Sequence, residues 1–246
     1  MDYDIFSRYY DLLTDDVDYE SRTGHLLKLF NKYDRTPSLL LDVGCGTGGF
    51  SLEFAKNGID VIGADPSFGM LSIAKEKAEN EGLNILFLNQ SGQTLDLYGT
   101  VDGAVCCLDT VNHIICKREL QRFFNRVSLF LEPCRLFIFD VNTLYKHRCV
   151  LGDNTFVFDT DEVYCVWQNS FDKRSGITDI RLDFFENDNG AYIRSTEEFS
   201  ERVYSREELE EMLERAGMSV IACLGENTLS KPAETAQRCV IIARKR

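Results

Sequence analysis

Residues 39 to 50 read LLLDVGCGTGGF, a leucine run and an aspartate followed by four glycines in six positions. A short apolar run before such a cluster reads as a buried strand that ends in a tight loop. Gly44 lets the chain turn sharply out of that strand, and Gly46, Gly48 and Gly49 let a ligand or a helix approach the main chain with no Cβ between. The helix that follows offers unpaired N–H groups toward whatever lies in the loop. A chain built around this stretch is held to strand-loop-helix units, the currency of α/β folds.

The rest of the first 140 residues agrees. Strand-like runs at 39–43, 61–64, 85–89, 101–108 and 136–141 alternate with helix patterns near 49–57, 67–81 and 117–131. Continuous apolar strands spaced by helices indicate a parallel sheet covered on both faces. Past residue 150, DEVYCVWQNSF, ITDIRLDFFE and AYIRSTEEFSERVY alternate with period two, which predicts an inserted three-stranded antiparallel sheet. On its middle strand Ile180, Leu182 and Phe184 share one face. Ser205 and Glu208 then form a capping box, Gly217 ends that helix, and runs at 219–224 and 238–243 close the chain as an antiparallel pair. Residues 17–33 read as a helix, preceded by an aromatic cluster of Tyr3, Phe6, Tyr9 and Tyr10. The expected division is a helical lid over 1–37, an α/β domain from 38–150 and 205–246, and a β-rich insertion over 151–204.

Charge narrows the partners. With 27 basic against 40 acidic residues the net charge is −13, which disfavours nucleic acid and anionic lipid as partners. The opening MDYDIFSRYY lacks the apolar stretch of a leader, and no run approaches the length of a membrane span. Nine cysteines without a C-x-x-C pair read as reduced thiols of a cytoplasmic protein. No zinc spacing is present, and no resident metal is expected.

Gly44, Gly46 and Gly49 satisfy G-x-G-x-x-G, and Asp65 follows about 20 residues on, where an acid holds ribose hydroxyls. That geometry serves NAD and S-adenosylmethionine equally. Asp42, ahead of the first glycine, suits a ligand with an ammonium and a sulfonium and repels a pyrophosphate. Gly48 leaves room for an amino-acid tail, and the closing antiparallel pair is foreign to the dehydrogenase sheet order.

LLLDVGCGTGGF, VIGADPSFGMLSIAKEKA, LFLNQSG, DGAVCCLDTVNHI and FLEPCRLFIFDVN together resemble the successive motifs of class I S-adenosylmethionine-dependent methyltransferases, over residues 38 to 142. The N-terminal stretch and the insertion resemble the branch of amino-sugar N-methyltransferases and glycine N-methyltransferase. The resemblance implies a Rossmann-like seven-stranded sheet of order 3-2-1-4-5-7-6 with the last strand antiparallel. It implies S-adenosylmethionine as cofactor and methyl transfer by in-line displacement to nitrogen or oxygen of a small molecule. Asp42, Gly44, Cys45, Gly46 and Gly48 would border the methionine part. Asp65 would hold the ribose, Pro66 and Met70 the adenine, with Gln90 and Ser91 nearby. Ser91 departs from the family's usual acid. Leu108 would lie under the cofactor, and Tyr3, Phe6 and Tyr10 would fold over it. The acceptor would meet Asp109 and His113, the second as a base or acceptor contact, together with Asn112, Tyr145 and Trp167 under the insertion. A magnesium-assisted alternative would draw on Asp109, Asp140 and Asn142. His25 and His147 read as surface or packing residues.

Overall fold

A computed structural model describes residues 4–188 and 190–246. Five parallel strands form its centre: β1 (Leu39–Val43), β2 (Asp60–Asp65), β3 (Leu86–Asn89), β4 (Gly103–Cys106) and β5 (Leu136–Asn142). The chain ends in β10 (Met218–Gly225) and β11 (Arg238–Lys245), which complete a seven-stranded sheet of order β10-β11-β5-β4-β1-β2-β3. β11 runs antiparallel to both β5 and β10. The expected 3-2-1-4-5-7-6 arrangement is therefore present.

The strands are apolar throughout because both faces are covered. On one face Leu41, Val43, Phe137 and Phe139 pack against α6 (Lys117–Phe130) and α7 (Arg206–Arg215) through Phe123, Phe124, Val127 and Leu213. On the other, Leu40, Val105, Ile138 and Ile242 pack against α2 (Tyr19–Tyr33) and α3 (Gly49–Lys56) through Leu29, Phe30, Phe50 and Phe54. Asp42 and Asp140 lie in register with this second set, so their carboxylates point to the α2–α3 side. Local signals set the helix ends: Ser67 Oγ accepts the Met70 N–H ahead of α4 (Phe68–Asn80), and Ser205 with Glu208 forms the capping box of α7. No helix among the described residues is long and apolar enough to cross a membrane.

Residues ahead of α2 form their own helix, α1 (Asp4–Leu13). The insertion contains four strands, not the expected three: β6 (Thr155–Asp159), β7 (Val163–Asp172), β8 (Ile177–Asp188) and β9 (Ala191–Arg202) in that order. β6 escapes a sequence reading because it is a five-residue edge strand with no buried position, so its apolar alternation is too short to register. Ile180, Leu182 and Phe184 do share the covered face, where they meet Ile5, Phe6 and Leu13 of α1 and Met70 of α4. A carboxylate reinforces that contact. Glu197 Oε1 of β9 accepts the N–H groups of Ile5 (3.0 Å) and Phe6 (2.7 Å), unpaired donors at the start of α1.

Phe184→Ala is expected to destabilise the protein by about 3–5 kcal/mol, the range for truncating a fully buried phenylalanine. Urea denaturation measures the loss, and hydrogen exchange should show α1 opening first.

Candidate active site

The carboxyl ends of β1, β2, β4 and β5 converge on one side of the sheet. Gly44 turns the chain there with φ +75°, and a Cβ on it would stand 2.4 Å from the Thr110 side chain. At Gly46, φ +53°, a Cβ would meet nothing within 4 Å, so the loop opens onto free space. Asp65, at the end of β2, clamps this loop: its Oδ2 accepts the Gly46 N–H at 3.0 Å and its Oδ1 the Ser67 N–H at 2.8 Å. Above the loop lies a hollow of about 330 Å³. Asp42, Gly44, Cys45, Gly46 and Leu108 line it, with Tyr10 and Tyr19 on the helical side.

Asp42 sits beneath that hollow, 2% exposed, and accepts a 2.6 Å hydrogen bond from Ser51 Oγ. Burial pushes its carboxyl up to about 6; the Ser51 bond opposes the shift and the charge of Asp65 adds to it. Burial likewise raises Asp65 above the usual carboxylate range, against the pull of the Ser67 and Gly46 amides. A desolvated carboxyl in the floor of the hollow, with Asp65 behind the glycine loop, makes it receptive to a cation.

The β4 turn forms the next wall. Leu108 and Asp109 both adopt left-handed backbone angles, φ 53° and 58°, a costly conformation for side-chain-bearing residues. Asp140 of β5 holds it: its Oδ2 accepts the Leu108 N–H at 3.0 Å and its Oδ1 the Asp109 N–H at 2.9 Å. Arg238, the first residue of β11, donates to Asp140 at 2.7 Å and reaches Asp109 at 3.4 Å. A second hollow, of about 350 Å³, lies beside Asp140 and Arg238 and shares Phe50 and Cys107 with the first.

On the far side of Asp109, side chains from four segments meet. α5 (Thr110–His113) ends in His113, whose Nε2 lies 3.8 Å from Glu201 Oε1 near the end of β9. A π-helical turn, Lys146–Leu151, carries His147, whose Nε2 lies 3.7 Å from Glu201 Oε2. Asn142 Nδ2 donates to Asp109 Oδ2 (2.9 Å) and to Glu201 Oε2 (3.0 Å). Burial would raise the Asp109 carboxyl, yet Arg238, Lys146, His113 and Asn142 outweigh it and hold the group well below the usual range. Glu201 shifts upward, from burial first and the charge of Asp109 second. His147 is lowered to about 4 by burial, with Lys146 assisting.

Several expected contacts stand elsewhere. Tyr10 lines the first hollow, but Phe6, one turn earlier on the same face of α1 with its ring 5.3 Å from that of Tyr10, is turned into the core, 5.8 Å from the Phe199 ring. Tyr3 lies outside the described residues. Gly48 begins α3 as its left-handed cap. Met70 is buried against the insertion, whereas Pro66 and the neighbouring Phe68, 75% exposed, lie open. Gln90 is engaged with the main chain of Asp96 and Ser91 with the Thr94 hydroxyl, so both side chains close their own loop.

Asn112 is fully buried and engaged with main chain: it donates to the Arg202 carbonyl (2.8 Å) and accepts the Asn142 N–H (2.9 Å). Trp167 packs inside the insertion against Phe156 and Phe158 and donates to Asn169 at 2.7 Å. Tyr145 is half-buried where the π-helical turn begins. His147 is completely buried, not a surface group. Asp140 is engaged by Arg238 and two amides, which removes it from the magnesium trio. Sequence reasoning missed Tyr19, Arg238 and Glu201. Only Arg238 carried a signal, a charge at the head of an otherwise apolar strand.

A first strand turned by glycine, an acid ending the second and a reversed final pair define a class I, Rossmann-like transferase fold. A family model described as a methyltransferase domain matches residues 40–134. The chain is 31% identical to the "Putative methyltransferase YqeM" of Bacillus subtilis (strain 168), over 100% of this chain and 98% of that protein. A solved S-adenosylmethionine-dependent methyltransferase from Clostridium acetobutylicum ATCC 824 is 30% identical, with a TM-score of 0.87 over 96% of each chain. CalS10, an amino pentose methyltransferase from Micromonospora echinaspora, shares the fold at a TM-score of 0.75 and 17% identity, over 94% of this chain and 92% of that one. This chain belongs to the S-adenosylmethionine-dependent methyltransferases, and S-adenosylmethionine is its cofactor.

Two outcomes are expected. A cationic ligand favours ionised Asp42, so S-adenosylmethionine affinity should be full above pH 6 and fall as pH drops through about 6. Calorimetry across that window checks this, and Asp42→Asn should flatten the profile. Arg238→Met leaves buried Asp140 without its counter-charge and should cost about 3–5 kcal/mol in urea denaturation.

Proposed function

We propose that the enzyme transfers a methyl group to a nitrogen or oxygen atom of a small molecule, by in-line displacement at the sulfonium. The donor occupies the hollow above the glycine loop, with Asp42 below it, Asp65 toward its ribose and Tyr10 over it. The acceptor enters beside Leu108 and Asp109, with His113 facing it and the insertion as roof. One observation carries this reading: the strained Leu108–Asp109 turn lines the hollow through Leu108 and Thr110, and β9 of the insertion brings Glu201 to 3.8 Å from His113 at the end of the same α5. A net charge of −13 argues against a nucleic-acid acceptor. The shared fold with an amino pentose methyltransferase supports a small polar acceptor.

The chemistry asks little of the protein. The donor is already activated, so placement in line with the methyl supplies much of the acceleration. What remains is a destination for the acceptor's proton, and His113 with Glu201 behind it is the group placed to receive it. Asp109, held ionised, suits a donor such as an ammonium or hydroxyl.

Incubation with methyl-labelled cofactor and panels of amines and hydroxyl compounds tests the reading. Label should enter one small-molecule class and none should enter RNA or DNA; the reverse would sink it. On the acceptor so found, His113→Asn should lower kcat by roughly 10²- to 10⁴-fold with little change in cofactor affinity. Asp65→Ala should abolish cofactor binding in calorimetry.

A further inference from the structure

We propose that Asp109, His113 and Glu201, with His147 behind them, form a seat for one divalent first-row transition-metal ion. One ligand atom from each of the first three lies within 4.8 Å of the other two. The gaps of 3.8 Å from His113 Nε2 and 3.7 Å from His147 Nε2 to the two Glu201 oxygens are too long for hydrogen bonds. The His113–Glu201 gap suits donors that share an ion, since atoms each about 2.0–2.2 Å from one metal stand roughly 3.3–4.4 Å apart at tetrahedral or trans angles; His147, outside the clustered trio, stands behind Glu201.

His147 supplies the independent sign. It is 0% exposed, and its Nε2 has no hydrogen-bond partner while aimed at Glu201. Its other ring nitrogen lies 2.8 Å from Thr178 Oγ1, which fixes the ring's direction. A buried imidazole nitrogen without a partner is a defect in a packed protein, and coordination removes it. The surroundings match what metal ligands require. Asn142 orients both carboxylates from one amide, and Arg238 supports Asp109 from the opposite side. Imidazole nitrogens together with carboxylates select zinc, manganese, iron or cobalt over magnesium or calcium, whose preference is for oxygen alone.

An ion here would stand beside the proposed acceptor space and lower the pKa of a hydroxyl bound to it. With the ion bound, the acceptor class narrows to an oxygen nucleophile whose proton leaves to solvent; the proton-accepting role of His113 given above belongs to the empty seat. That narrowing rests on the function proposed above. The seat itself does not, and it is tested without any acceptor.

The full chain, stripped with chelator, is titrated with Co²⁺ alone and followed by visible absorption and calorimetry. One equivalent should bind, with ligand-field bands of nitrogen and oxygen ligation and no thiolate charge-transfer band. Glu201→Gln and His113→Asn should each weaken binding about tenfold or more, with the circular dichroism spectrum retained. Replacing the exposed Cys116, Cys134 and Cys149 by serine should leave it unchanged. If Glu201→Gln does not fold, His113→Asn at a partly exposed ring decides the matter. Absence of stoichiometric binding, binding that both variants leave intact, or binding lost with the three cysteines overturns the proposal. A bound ion with label entering only amines would uphold the seat and overturn the hydroxyl reading.

Discussion

The carboxylate of Asp140 holds the working edge of the sheet in shape. Its two oxygens take the amides of Leu108 and Asp109, and so keep two side-chain-bearing residues in a backbone conformation they would otherwise leave. Asp109, Thr110 and His113 all take their directions from that turn. Asp140 is itself buried and tolerable as an anion because Arg238 faces it at 2.7 Å. Here the topology explains itself. An antiparallel final strand begins where its parallel neighbour ends, so Arg238 opposes Asn142 at the carboxyl edge. A parallel strand would have brought its last residue there, and the counter-charge would need another source.

Much of the core architecture was legible because it is written in local patterns. The apolar runs, the glycine loop and the caps at Ser67 and Ser205 each act within a few residues, and they point to the same sheet. The glycine-loop side of the site shares this property. Asp42, Gly44 and Gly46 lie in one stretch, and Asp65 ends the next strand, so spacing alone brings them together.

The cluster around Asp109 resists such a reading for a physical reason. Asp109 with His113, His147 and Glu201 come from three segments that meet only in space. Glu201 sits near the end of a strand with polar neighbours, where a carboxylate looks like an ordinary exposed group, yet it is 3% exposed. Asn112 misleads in the opposite direction. Its position after the fourth strand suggests a ligand contact, but its amide is taken up by main chain that no short window of sequence can see. Phe6 and Tyr10 show the limit of counting aromatics. Both lie on one face of α1, and one turn along it is enough to leave Phe6 in the core with the insertion while Tyr10 reaches the hollow.

The bond between Glu197 and the first amides of α1 reaches further than its two hydrogen bonds suggest. A ten-residue helix has little stability of its own in water, so α1 depends on what it leans against. It leans on the glycine loop through Asp11 and Thr47, at 2.7 Å, and on the inserted sheet through Glu197. The same short rod thus spans both compartments. Loosening either contact therefore weakens the hold of α1 on the other, so the glycine loop and the inserted sheet are tied together through one short rod.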